Sequence, residues 1–215
     1  MRLSGALVAH DHRVNSILQQ ILDGARAASW PEQFATVLGV LFVWLVMRES
    51  LWNFPVGLLQ AALFGWVCFT GKLYSDAVLQ VIYFVAMIYG WWHWTRGGPD
   101  KAVLPVQRLS APAAARWVGV TLALWAIWGA CMARFTDAAL AYWDGFILAG
   151  SVASQWLQAR KALESWIGWL LVNSIAIGIY WVKGFYWFAV LYFIFWLLSW
   201  AGLRAWLQSW RKSHA

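Results

Sequence analysis

Charge is scarce in this chain. Only 12% of its 215 residues are Asp, Glu, Lys or Arg, while 62% are hydrophobic. A soluble domain carries about 25% charged residues, so a water-exposed globular protein is excluded and the chain reads as a membrane protein. Acid is scarcest: Asp76, Asp137, Asp144 and Glu164 sit near the ends of apolar runs and no acidic residue lies deep in one, which argues against a proton relay or a carboxylate ion site. The two cysteines, Cys68 and Cys131, stand alone inside apolar runs, with no CxxC or metal spacing, and are expected to be buried small hydrophobes. No His/Cys/carboxylate cluster, Walker loop or nucleophile motif is present, so an enzyme, a metal site or a cofactor has no support. The net charge of +7 is not a nucleic-acid footprint, because the basic residues stand singly at the ends of apolar runs, where snorkelling and topology explain them. A secretory signal is not expected either: only seven mostly apolar residues separate Met1-Arg2 from His10-Asp11-His12.

What the chain does have is apolar length. Seven segments, 34–48, 54–70, 75–95, 114–133, 138–157, 165–182 and 185–208, approach the ~17–25 residues that a spanning helix needs. The first is short and is expected to extend into Trp30–Gln33. Ahead of them, Val14, Ile17, Leu18, Ile21, Leu22 and Ala25 fall on one helical stripe, the mark of an amphipathic helix on the membrane surface or against the bundle. Residues 96–113, with Gly97-Gly98-Pro99, Pro105 and Pro112, read as a linker. Seven spans put the termini on opposite sides; six basic residues then fall on the N-terminal side and ten on the other, so the positive-inside rule expects the N-terminus outside and the C-terminus in the cytoplasm. Twenty tryptophans exceed what interfacial belts require.

The chain also repeats itself at a spacing of 112 residues: Trp44, Leu45, Arg48 and Leu51 match Trp156, Leu157, Arg160 and Leu163, and Tyr74, Ala77-Val78-Leu79, Gly90 and Trp94 match Tyr186, Ala189-Val190-Leu191, Gly202 and Trp206, without a gap. Each copy holds three helices, and an unpartnered span between them restores parallel orientation. The expected fold is an all-α membrane protein of seven transmembrane helices in a 3+1+3 parallel-repeat arrangement, the plan of transporters whose site lies between repeats near the midplane. The expected divisions are an N-terminal amphipathic segment at 1–33, a first repeat at 34–95, linker and connecting helix at 96–133, a second repeat at 134–208 and a tail at 209–215.

Deep polar residues are the candidate site. Trp166, Trp169 and Asn173 lie at i, i+3 and i+7 on one helix face that Tyr180 continues. Gln80 and Tyr83 share a face with Met87, and Asn53 and Gln60 share another, past Pro55. An unpaired amide in lipid costs several kcal/mol, so each faces protein or a cavity. Interhelical glue, worth about 1 kcal/mol, is the plain alternative. Indoles beside an amide suit a planar polar ring. His93, among tryptophans near a span end, reads as interfacial.

Together these residues resemble a known family. Asn53-x-x-x-Gly57, Lys72-Leu73-Tyr74, Leu79-Gln80 and Tyr89-Gly90-Trp91-x-x-Trp94 in the first half, and Arg160-Lys161, Glu164, Trp166-x-x-Trp169-x-x-x-Asn173, Gly184, Tyr186, Tyr192, Gly202 and Trp206 in the second, resemble the PnuC family of bacterial vitamin transporters over residues 44–206. The first 30 residues and the fourth span carry nothing of it. The resemblance implies a SWEET-like fold, a homotrimer in the bacterial inner membrane, and facilitated uptake of nicotinamide riboside, trapped by a cytoplasmic riboside kinase. It also implies that Trp166, Trp169 and Asn173 line the substrate site. Thiamine or riboflavin is the alternative cargo within the family, and a non-transporting receptor subunit is the alternative outside it.

Overall fold

The computed structural model describes residues 2–72, 74–137 and 140–213, all-helical apart from the connections. Eight helices follow in order: α1 (Arg2–Ala27), α2 (Trp30–Met47), α3 (Asn53–Thr70), α4 (Tyr74–Arg96), α5 (Ala111–Phe135), α6 (Ala141–Ala159), α7 (Glu164–Val182) and α8 (Tyr186–Ser213). Of the expected amphipathic stripe and repeat motifs, Leu73 and the side chains of Val14 and Tyr74 lie outside what is described. α2 does begin at Trp30: Ser29 precedes it, and the Ser29 N–H donates to the Glu32 carboxylate at 2.7 Å, a capping pair that satisfies an otherwise orphaned donor. α8 runs past 208, through Ser213.

Five of these helices, α2, α3, α5, α7 and α8, are long and apolar enough to cross a membrane. α6 falls outside that group because it carries Ser151, Ser154, Gln155 and Gln158, all buried. Their polarity faces protein, so composition understates how well the opposite face suits lipid.

Packing closes a ring. α2 touches α3, α3 touches α4, α4 touches α6, α6 touches α7, α7 touches α8, and α8 returns to α2. α5 packs on α6 outside the ring, and α1 packs on α8. Almost none of α5 is buried within the chain. Cys131, on α5, is therefore exposed, which corrects the expectation of burial: a small apolar side chain suits lipid as well as a core. Cys68 is buried as expected.

The 112-residue correspondence extends to the backbone. Glu49, after α2, and Lys161, after α6, both adopt left-handed conformations, with φ of 54° and 55°. Lys72, after α3, and Gly184, after α7, do the same, with φ of 59° and 75°. The same turns thus join the helices of both copies. For non-glycine residues this region is uncommon and marks turns held by their surroundings.

Candidate functional site

At one end the ring is closed by aromatic residues. The Trp94 indole N–H donates to the Gln158 carbonyl at 3.2 Å, and Trp206 donates to the Val46 carbonyl at 3.1 Å; these two bonds are equivalent under the 112 spacing. Trp94 and Trp206 meet edge-to-face at 5.7 Å. Phe54 on Trp94 at 5.2 Å and Trp166 on Trp206 at 5.4 Å repeat the same T-shaped contact in each half. Gly90 and Gly202 make room: a Cβ on Gly202 would overlap the Trp166 ring, and one on Gly90 would come within 3.0 Å of Phe54. Three of the twenty tryptophans are thus core pillars, fully buried.

The linker straps over this end. Leu104 and Val106 are buried in it. The Leu104 N–H donates to the Trp94 carbonyl at 2.9 Å, the Gln107 N–H to the Lys161 carbonyl at 3.0 Å, and the Leu163 N–H to the Gln107 carbonyl at 2.9 Å. The Leu109 N–H donates to the Glu164 carboxylate at 3.2 Å. Lys161, only 2% exposed, reaches across the two halves. Its ammonium pairs with the Glu49 carboxylate at 2.8 Å, donates to the Leu104 carbonyl at 2.8 Å and lies 4.8 Å from the Trp94 ring centre.

Inside the closed end is a cavity of about 200 Å³. All six ring helices line it, and none of its lining residues is charged. Gln80, Tyr83, Gln60, Trp166, Trp169, Asn173 and Tyr192, expected from the sequence, meet there. Asn53 does not: its side chain turns back to the Ser50 carbonyl and fixes the α2–α3 turn. Tyr180 lines a second cavity, of about 620 Å³, which shares Gly39, Gln60, Phe64, Tyr192 and Phe195 with the first and continues toward the α7–α8 turn, Glu32 and Asp76.

The two indoles of the Trp-x-x-Trp face divide their roles. Trp166 is fully buried on Trp206, so its ring is core and its edge borders the cavity. Trp169 is partly buried and packs edge-to-face on Tyr83 at 6.4 Å. Asn173 donates to the Ser199 hydroxyl at 3.2 Å while lining the cavity, and Tyr83 and Ser151 line it as well. The oxygens of Gln80 and Gln158 and the indole nitrogen of Trp166 are buried with no hydrogen-bond partner among the described residues. Such groups cost about 1–3 kcal/mol each when unmet, and the cavity they border is where a partner can enter. Ser151, Gln155, Gln158 and Ser199 were not singled out from sequence. The stripe Ser151, Ser154, Gln155, Gln158, at i, i+3, i+4 and i+7, is the signal that marks the polar face α6 gives to the cavity.

The family model described as "Nicotinamide mononucleotide transporter" matches residues 29–208. The chain belongs to the PnuC transporter family. Among PnuC relatives, the nicotinamide riboside transporter PnuC of Escherichia coli (strain K12) is 29% identical over 93% of this chain and 95% of its own length. The riboflavin/roseoflavin transporter RibM of Streptomyces davaonensis is 31% identical over 86% of this chain and 88% of its own. A crystal structure of the vitamin B3 transporter PnuC superimposes with a TM-score of 0.69 at 21% identity, covering 91% of this chain and 90% of that one, and shares the fold. PnuC proteins are transporters rather than enzymes, and with five helices apolar enough to span the chain is a multi-pass membrane protein.

Proposed function

We propose that this chain facilitates uptake of nicotinamide riboside across the bacterial inner membrane by alternating access, with a cytoplasmic riboside kinase trapping the product. The observation that carries the reading is the uncharged inner cavity, lined by the aromatic side chains of Trp169, Tyr83, Tyr192 and Phe195 together with residues that carry unmet amide and indole groups. A pyridinium nucleoside presents both counterparts. Its cationic ring suits aromatic faces, and its carboxamide and hydroxyls suit the amides. Absence of a charged lining residue fits a carrier with no ion to couple.

The arrangement proposed is seven spans as 3+1+3: repeats at 34–95 and 134–208, α5 as the connecting helix within 96–133, an N-terminal segment at 1–33 and a terminal stretch at 209–215, in a SWEET-like fold assembled as a homotrimer. The closed ring of α2, α3, α4, α6, α7 and α8 supports the pairing of repeats. The N-terminus is placed outside and the strapped end in the cytoplasm, because Arg48, Arg96, Lys101, Arg108, Arg116, Arg160 and Lys161 gather there. Alternating access then means that the strap and the Glu49–Lys161 pair hold the cytoplasmic end shut while substrate enters from the larger cavity.

The likeness to RibM supports riboflavin as a second reading. The inner cavity, about 200 Å³, is below the ~300–1,000 Å³ of drug-sized sites, which favours a one-ring nucleoside over a three-ring flavin. Uptake of labelled nicotinamide riboside into proteoliposomes tests the proposal. Equilibration without a response to proton or sodium gradients is expected; accumulation above the outside concentration, driven by either gradient, contradicts it.

A further inference from the structure

The fold repeats, but the chemistry lining its cavity does not. At corresponding positions α2 presents Gly39, Val43 and Val46, while α6 presents Ser151, Gln155 and Gln158. Gln158 thus stands where the first half has a core valine, and Val46 is 1% exposed. An apolar side chain packs well at such a position. A glutamine there, itself 5% exposed, needs hydrogen bonds to offset its lost hydration. The fold supplies none to its side-chain oxygen among the described residues. Its backbone carbonyl is already engaged by Trp94, which fixes the residue to the closed-end aromatic cluster. The other orphan of that cluster is the Trp166 N–H, also on the cavity border. A helix-to-helix role would leave the Gln158 side-chain oxygen bonded to a neighbouring helix, which it is not among the described residues.

We infer that Gln158 is a specificity-determining residue whose side-chain amide reads the carboxamide of the substrate's pyridine ring. This rests on the nicotinamide riboside reading above. A primary amide offers one donor and one acceptor edge, and a primary carboxamide offers the complement. The two pair through two N–H···O bonds, whichever way the glutamine amide is turned. The Trp166 N–H is a further unmet donor on the cavity border. A carboxylate in place of the carboxamide offers acceptors only. It would keep one bond to the glutamine N–H and set its second oxygen against the glutamine oxygen. The site should therefore reject nicotinic acid riboside, which differs from nicotinamide riboside at this one group.

Calorimetry with both ribosides on purified full-length protein tests this. Wild type should bind the carboxamide riboside more tightly by about 10- to 100-fold, the range for stranding a buried polar group. Gln158→Met, of similar length but without the amide, should weaken nicotinamide riboside binding by a similar factor and bring the ratio of the two affinities toward one. Its ligand-free melting temperature should not fall. Gln158→Val, the residue of the matching position in the first half, carries the same expectation if the methionine variant misfolds. An unchanged ratio in either folded variant overturns this inference alone. Failure of wild type to bind nicotinamide riboside overturns both the substrate reading and this inference.

Discussion

Replacing Lys161 by methionine should loosen the end of the bundle that the linker covers. The ammonium has three partners: the Glu49 carboxylate at 2.8 Å, the Leu104 carbonyl at 2.8 Å and the Trp94 ring at 4.8 Å. Methionine keeps the length of the side chain and removes all three. What remains is a stranded Glu49 carboxylate whose side chain is only 26% exposed. Breaking a fully buried pair costs ~3–5 kcal/mol, whereas an exposed pair is worth ~0–1 kcal/mol. Glu49 lies between these limits, so about 1–3 kcal/mol should shift toward the opened end, where the carboxylate regains water. Tenfold per 1.4 kcal/mol makes that roughly a 5- to 150-fold change in the open population. Ser165, fully buried beside the strap, gives the reporter. In a background lacking Cys68 and Cys131, Ser165→Cys should react slowly with a polar thiol reagent, and adding Lys161→Met should speed it by that factor. Adding Glu49→Gln as well should restore much of the protection, because no charge is then stranded. Equal labelling with and without Lys161→Met would refute the strap as a closure, and purely additive effects of the two substitutions would refute the pair as its fastening.

Asn173→Leu should lower affinity for nicotinamide riboside about 5- to 150-fold by leaving a ligand polar group unpaired, and should also cost some thermal stability by releasing the Ser199 hydroxyl; thermal melts with and without ligand separate the two effects. Trp169→Leu should weaken binding by ~1–2 kcal/mol through loss of an aromatic face and its cation–π contact, without disturbing the Trp166–Trp206 cluster. Gly202→Ala should destabilise the protein by about 1–3 kcal/mol, because the added methyl overlaps the Trp166 ring, and its melting temperature should fall whether or not ligand is present.

Much of this architecture was legible because membrane helices write their interior in polar residues. The repeat showed itself through Trp94/Trp206 and Gly90/Gly202, and the structure shows why: each glycine admits a ring that braces each tryptophan. Asn173, Gln80 and Gln60 were found by the cost of an amide in lipid, and they meet in the cavity. The same argument misplaced Asn53, since an amide at a helix start can satisfy a turn carbonyl instead. It passed over α6, where serine and glutamine are individually unremarkable and only their shared face is informative. Trp166 read as a stacking surface, yet it is fully buried in edge-to-face contact with Trp206; spacing reports which side of a helix a residue occupies, not what covers it. Nothing local marked Glu49 and Lys161 as partners. They are distant in sequence, and only the folded repeat brings their turns together.

The most direct measurement is calorimetric titration of the purified protein with nicotinamide riboside, thiamine and riboflavin in turn. The account predicts saturable binding of nicotinamide riboside, at least tenfold tighter than either rival and weakened by Asn173→Leu. Tighter binding of riboflavin or thiamine, or nicotinamide riboside binding that Asn173→Leu and Trp169→Leu leave untouched, would contradict it.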